Sequence, residues 1–155
     1  MKICLVCSRG GHLVEMLQII DAFQGHDIFF AAGINHGTKE GAKEQEVKQI
    51  ARAYFAPNIG ANIWRLFKSL FWAFYILFKE KPDVIVSLGA EIALPFFYFG
   101  KLFGIKTIFI ESWCRAENLS KTGQLVYPIA DLFLVQWPQL LKTCGPKAQY
   151  KGSVI

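Results

Sequence analysis

Short apolar runs alternate with helix-length segments along the whole chain, and several of those runs end in a glycine-bearing turn. Residues 2–7 (KICLVC), 27–33 (DIFFAAG), 52–57 (RAYFAP), 82–90 (PDVIVSLGA), 106–112 (KTIFIES) and 131–136 (DLFLVQ) are short and apolar, as buried strands are. Between them lie 12–23, 62–81, 91–104 and 137–144, which read as helices. The first shows Leu13, Met16, Leu17 and Ile20 at helical spacing, and Pro95 sits near the first turn of its segment, where a helix tolerates it. Residues 121–130 read as a helical turn. The polar stretch 35–51 reads as a loop with a short helix, and 148–155 as a last edge. Strand–helix alternation predicts an α/β fold with a doubly wound, mostly parallel sheet. No repeat or linker interrupts it, so one domain spanning 1–155 is expected.

In such sheets ligands bind beyond the carboxyl ends of the strands. That rule singles out the loops 8–12, 33–41, 88–91 and 111–120. The first opens the stretch SRGGHLVEML, 8–17. Gly10 and Gly11 let the backbone approach a ligand, and the helix that follows offers free N–H groups and a partial positive charge. Together they suit a phosphate or diphosphate, with Arg9 adding charge. His12, at the first turn, can serve as a general base or as a hydrogen-bond donor. The plainer alternative is a helix start capped by Ser8 beside a surface histidine. The full G-x-G-x-x-G dinucleotide pattern is absent. A second glycine turn, SLGAE at 87–91, places Gly89, Ala90 and Glu91 at another strand end. In the third loop, ESWCRAENLS, Glu111 and Arg115 are expected to pair or to face the cleft, whereas Glu117 and Lys121 are expected to be solvated.

Composition matters most for residues 62–81. The chain is 53% hydrophobic and carries 14 Phe and 4 Trp, so either the core is very aromatic or part of that surface meets a membrane or a partner. In 62–81, Arg65 and Lys68 interrupt the apolar run, and the unbroken part falls well short of the ~20 residues of a spanning helix. An interfacial helix is expected, with Trp64, Phe67, Phe71, Trp72, Phe74, Tyr75 and Phe78 supplying rings and Arg65, Lys68, Lys79 and Lys81 reaching anionic headgroups. A buried core helix is the alternative. The net charge of +5 is not gathered into a dense run, which disfavours nucleic acid. Cys4 and Cys7 form a C-x-x-C, but their spacing points them to opposite faces of a strand, and no second pair exists for a metal knuckle. The four cysteines read as reduced thiols, and neither a metal nor a cofactor is expected.

Two stretches also carry a resemblance. SRGGHLVEML has a Ser-x-Gly-Gly-His turn followed by Glu-Met-Leu. IFIESWCRAENLSKTGQLVYPIADLFLVQWPQL, 108–140, has Glu-Ser-x-Cys-Arg, Leu-Ser-x-x-Gly, Tyr-Pro-x-x-Asp and Val-Gln-Trp-Pro in order. With these motifs the chain resembles the acceptor-side, membrane-associating subunit of two-part UDP-sugar transferases. One branch is the N-glycan UDP-N-acetylglucosamine transferase subunit, and the other its bacterial capsule and exopolysaccharide counterparts. The resemblance implies a Rossmann-like amino-terminal half of a GT-B glycosyltransferase, with the UDP-sugar held by a separate partner chain. It implies a polyprenyl-diphosphate-linked sugar as acceptor and peripheral attachment to an anionic membrane surface, at the cytoplasmic face of the cell membrane. Ser8, Arg9, Gly10, Gly11, Gly89, Ala90, Glu111 and Arg115 would then meet the acceptor, and His12 or Glu91 would be the base. A scaffold that only recruits the catalytic partner, and a stand-alone nucleotide-binding enzyme, are the alternatives. Three departures stand out. Leu13 occupies a position where threonine often follows the histidine. SLGAEIALP differs from the glycine-rich turn of the N-glycan branch, so a different acceptor sugar is expected. The N-glycan members carry an amino-terminal membrane helix, whereas the sequence opens on its first strand, so attachment is expected to rest on 62–81 or on a partner.

Overall fold

The computed structural model describes residues 1–8, 10–34, 42–57 and 63–154. Seven strands form one parallel sheet: β1 (Lys2–Ser8), β2 (Asp27–Ile34), β3 (Arg52–Pro57), β4 (Val84–Ser87), β5 (Lys106–Ile110), β6 (Leu132–Val135) and β7 (Ala148–Tyr150). Their order is β3-β2-β1-β4-β5-β6-β7. The chain winds outward from β1 to β3, then crosses back to lay β4 beside β1, where Cys4 pairs with Ile85 and Val6 with Ser87. That reversal creates a crevice above the carboxyl ends of β1 and β4.

Helices cover both faces, as parallel strands buried on both sides require. On one face α1 (Gly11–Gln18) and α2 (Ala42–Ile50) cover a cluster that includes Leu5, Cys7, Leu13, Met16, Phe30, Val47 and Leu88. On the other, α3 (Ile63–Glu80), α4 (Ala93–Leu102), α5 (Lys121–Val126) and α6 (Leu141–Cys144) enclose Cys4, Val6, Phe29, Ile76, Phe96, Phe109 and Phe133. Cys4 and Cys7 therefore point to opposite faces, as their spacing predicts, and all four cysteines are free. The helix expected over 12–23 ends at Gln18, and a 3-10 turn follows over Ile20–Phe23. The short helix expected in 35–51 is α2, while 35–41 lies outside the described residues.

The amino-terminal edge of the sheet is closed by a charged network. The buried Glu80 carboxylate, at the end of α3, accepts from Lys2 Nζ at 2.8 Å and from the Tyr54 hydroxyl, and lies 3.5 Å from Arg52 Nη1. Burial pushes the Glu80 carboxyl up, but the bonds from Lys2 and Tyr54 and the Arg52 charge outweigh it and hold the group below the usual glutamate range. Lys81 then takes a positive φ of 49° ahead of Pro82, which ends the helix.

α3 settles what its aromatic sequence leaves open. Ser69, Ala73, Ile76 and Leu77 are buried, and Trp72 is half-buried with its ring edge-on to Phe96 at 5.5 Å. Trp72 thus belongs to the core side and not to the outer stripe expected for it. Its i+4 neighbour, Ile76, lies on the same inward face. Trp64, Phe67, Phe71, Phe74, Tyr75 and Phe78 are exposed along the opposite face. Phe74 stacks on Phe78 at 6.2 Å and meets Phe103 at 5.7 Å, so the stripe continues onto the end of α4, where Leu102 and Phe103 are exposed. Lys68, Lys79 and Lys81 are exposed around it, and the Arg65 side chain lies outside the described residues. No helix among the described residues is long and apolar enough to cross a membrane.

Candidate functional site

α1 starts without a side-chain cap. Gly10 is the N-cap residue, with a φ of 91° that favours glycine, and its carbonyl accepts from Val14 N at 3.1 Å. Ser8 ends β1 and makes no capping bond, contrary to the simple capped-turn expectation. The first N–H groups of α1 are therefore left for a ligand or solvent. Arg9 lies outside the described residues.

β4 ends in a second tight turn. Gly89 has a φ of 107° and Ala90 one of 79°, and Ser87 Oγ braces the turn by donating to Gly89 O at 2.9 Å. Gly89 lies directly under the His12 ring. A Cβ at Gly89 would stand 2.8 Å from His12 Cε1 and 3.1 Å from Nδ1, so the close approach of turn and imidazole requires glycine. His12 Nδ1 is enclosed and makes no hydrogen bond among the described residues. A buried ring nitrogen without a partner is uncommon in a folded protein and marks this imidazole for a ligand or a water.

The third wall is built by a buried carboxylate. Glu111 leaves the end of β5 fully enclosed, and its oxygens accept from Ser112 N at 3.0 Å, Ser120 N at 2.9 Å and Ser120 Oγ at 3.1 Å. Burial pushes the Glu111 carboxyl up, and those donors offset only part of the effect. Ser120 Oγ also caps α5 by accepting from Gly123 N at 2.9 Å. A Cβ at Gly123 would collide with Glu111 Oε2, which explains the glycine three residues after the serine. Glu111 thus holds the loop from behind. Glu111 is not among the lining residues of the cleft and forms no ion pair with Arg115 among the described ones, but the Arg115 charge acts to lower its carboxyl, and of the two it is Arg115 that lines the cleft.

These loops enclose a cleft of about 520 Å³ above the β1/β4 crossover. Gly11 and His12 form one wall with Ala90 and Glu91. Ser112, Arg115, Ser120 and Thr122 form the other, with Lys121. Of the residues singled out from sequence, the cleft brings together Gly11, His12, Ala90, Glu91 and Arg115. Gly10 and Gly89 shape its backbone, and Ser8 and Glu111 stand behind it. Glu15, Ser112, Leu119, Ser120, Lys121 and Thr122 are lining residues that sequence reasoning did not select. Glu15 sits inside the SRGGHLVEML stretch, one helical turn after His12, which is the one signal pointing to it. Among the described residues, no cluster of side chains is suited to a metal ion.

Comparison with known proteins follows the same outline. The family described as oligosaccharide biosynthesis protein Alg14 like matches residues 3–154. The UDP-N-acetylglucosamine transferase subunit ALG14 of Rattus norvegicus is 26% identical over 177 residues, covering 97% of this chain and 82% of that protein. Its counterpart from Candida albicans is 29% identical over 173 residues, covering 99% and 78%. Among solved structures, MurG of Acinetobacter baumannii superposes with a TM-score of 0.74 at 18% identity, covering 98% of this chain and 45% of that one. A UDP-GlcNAc 2-epimerase from Neisseria meningitidis gives 0.73 at 14% identity, covering 99% and 47%. At such identities the likeness is one of fold: a Rossmann-like half of the two-domain GT-B architecture. The chain spans about half the length of these structures. Because the family match runs from β1 past β7 and through each described wall of the cleft, the chain belongs to the Alg14-like oligosaccharide biosynthesis family.

Proposed function

We propose that this chain is the acceptor-side subunit of a heteromeric UDP-sugar transferase. Its crossover cleft takes the diphosphate and first sugar of a polyprenyl-linked acceptor, and a separate chain supplies the UDP-sugar. The carrying observation is the cleft itself. An uncapped helix start at Gly10–Gly11 shares with Arg115 and Lys121 a cleft at the switch point of the sheet. Backbone N–H groups and two cations together suit a diphosphate. The curated relatives are named as subunits of a transferase, which supports a donor site on another polypeptide. The name of the curated relatives makes UDP-N-acetylglucosamine the first donor to test.

In this reading His12 is the base that takes the proton from the acceptor hydroxyl, its ring fixed against Gly89. Glu91, an exposed carboxylate on the cleft lip, is the rival for that role. The aromatic stripe of α3 lies in the headgroup region of an anionic membrane at the cytoplasmic face, with lysines around it. A bacterial capsule, exopolysaccharide or related glycan pathway is the proposed setting.

The isolated chain is expected to bind a short-chain polyprenyl-diphosphate sugar saturably and to bind no UDP-sugar. A side chain at Gly11 meets nothing within 4 Å, so Gly11→Val keeps the fold and crowds only the cleft. Titration calorimetry with both ligands checks this. Acceptor binding that disappears in Gly11→Val supports the reading, and micromolar UDP-N-acetylglucosamine binding by the chain alone contradicts it.

A further inference from the structure

Glu15 is a carboxylate that lines the cleft and yet is almost fully buried, at 5% exposure. Its oxygens are occupied from the far side. Oε1 accepts from Ser112 Oγ at 2.8 Å. Oε2 accepts from Trp113 N at 3.2 Å and from Gln136 Nε2 at 3.2 Å. The donors come from the segments after β5 and β6, 97 to 121 residues away in sequence. All three are neutral, and no cation pairs with Glu15 among the described ion pairs.

Gln136 extends the contact. Its Nε2 also donates to Glu111 O at 3.0 Å, and its Oε1 accepts from Val154 N at 3.1 Å. Trp113 is held at both ends of its peptide, because its carbonyl accepts from Trp137 Nε1 at 2.7 Å. A buried charge with neutral donors is a poor way to gain stability, since a well-packed apolar group often does as well. It is a good way to fix geometry, because three donors converge on one planar group.

We propose that Glu15 is a positioning residue that clamps segment 112–115 against α1 and so sets the spacing between the two walls of the cleft. On one wall stand His12 and Glu91, and on the other Arg115 and Ser120–Thr122. The effect on acceptor binding rests on the acceptor-site reading given above, whereas the clamp itself does not. Glu15→Gln keeps the shape but turns one acceptor oxygen into an NH₂ group. Ser112 Oγ can accept from that NH₂ group, and the oxygen that remains serves Trp113 N and Gln136 Nε2 only as a neutral acceptor, whose bonds are weaker than those to a carboxylate.

Two measurements test this on the full chain. Amide hydrogen exchange is expected to quicken about tenfold across 112–120 in Glu15→Gln, as the loss of one charge-assisted bond allows, with β1, β4 and α3 within about twofold of wild type. Ser112→Ala, which removes one donor and leaves the charge, is expected to give a smaller increase in the same segment, and it serves if Glu15→Gln does not fold. Unchanged exchange in 112–120, or a uniform increase throughout, overturns the clamp. In the two-chain enzyme the acceptor KM is expected to rise about tenfold with the UDP-sugar KM unchanged. Local loosening without a change in acceptor KM, or an equal rise in both KM values, overturns the positioning role. If the wild-type pair uses no polyprenyl-diphosphate acceptor, the acceptor reading fails, and the exchange data still decide whether Glu15 holds the loop.

Discussion

Replacing His12 by alanine in the assembled two-chain enzyme is expected to lower kcat by roughly 10²–10⁴-fold, the usual contribution of a general base. The imidazole lies on the Gly89 turn, where even a methyl group would come within 2.8 Å, so its ring plane is fixed before any ligand arrives. Its Nδ1 is sealed and unpaired among the described residues, which leaves the ring free of a competing protein partner at that atom. Alanine at this helical position removes the ring without disturbing the helix, so melting temperature should hardly change. Glu91→Gln, on the same wall of the cleft, should keep kcat within a few-fold. Steady-state kinetics with saturating acceptor separates the two carriers. If His12→Ala retains kcat and raises only the acceptor KM, His12 binds the diphosphate and the base lies elsewhere. A collapse of kcat in Glu91→Gln instead assigns the base to Glu91.

A second large effect is expected at the membrane. Trp64, Phe71 and Phe78 are 72%, 75% and 65% exposed, so they contribute little to the core. Burying a ring of this size is worth on the order of 1.5–3 kcal/mol. Partial insertion of three rings amounts to about 3–4 kcal/mol, so replacing Trp64, Phe71 and Phe78 together by serine should weaken partitioning to anionic vesicles by roughly 10²–10³-fold. Vesicle sedimentation measures it, and an unchanged melting temperature confirms that the fold survives. Trp72→Ser is the internal contrast: its ring packs on Phe96, so it should destabilise the protein. Undiminished vesicle binding by a folded triple variant removes α3 from the membrane contact.

That contrast shows what the sequence makes legible and what it hides. Strand runs, their alternation with helices and the glycine turns are local signals, and they predict the parallel sheet and three of the loops that line the cleft. The 33–41 loop is the fourth expected, and most of it lies outside the described residues. On α3, large apolar residues occur all round the helix, so composition alone cannot choose a face. The small residues Ser69 and Ala73 mark the buried side, because α3 packs closely against the sheet and α4 there. Glu111, Glu15 and Gln136 are hidden for a different reason. Each is a polar residue whose burial depends on partners beyond the reach of periodicity: Ser120 for Glu111, and Ser112 and Gln136 for Glu15.

The Leu-Ser-x-x-Gly and Tyr-Pro-x-x-Asp motifs likewise have structural explanations. Ser120 caps α5 while touching Glu111, and Gly123 makes room for that carboxylate. Asp131 accepts from Thr107 N at 2.9 Å and Thr107 Oγ1 at 3.2 Å. Burial raises the Asp131 carboxyl, but those bonds outweigh it and hold the group below the usual aspartate range. Tyr127 accepts from Lys147 N at 2.9 Å and ties β7 to the body. Within the longest stretch of resemblance, Ser120 and Gly123 therefore hold a cleft loop in shape, whereas Tyr127 and Asp131 brace the amino-terminal ends of β5 to β7.

The most direct measurement is sugar transfer from UDP-N-acetylglucosamine to a short-chain polyprenyl-diphosphate sugar by the UDP-sugar-binding partner, with and without this chain. It is made in detergent solution, so that recruitment to a membrane cannot help. The account predicts transfer only when both chains are present, saturating at an equimolar ratio and lost with Gly11→Val. Transfer by the partner alone at an undiminished rate and with the same acceptor KM contradicts it, and leaves this chain as a scaffold.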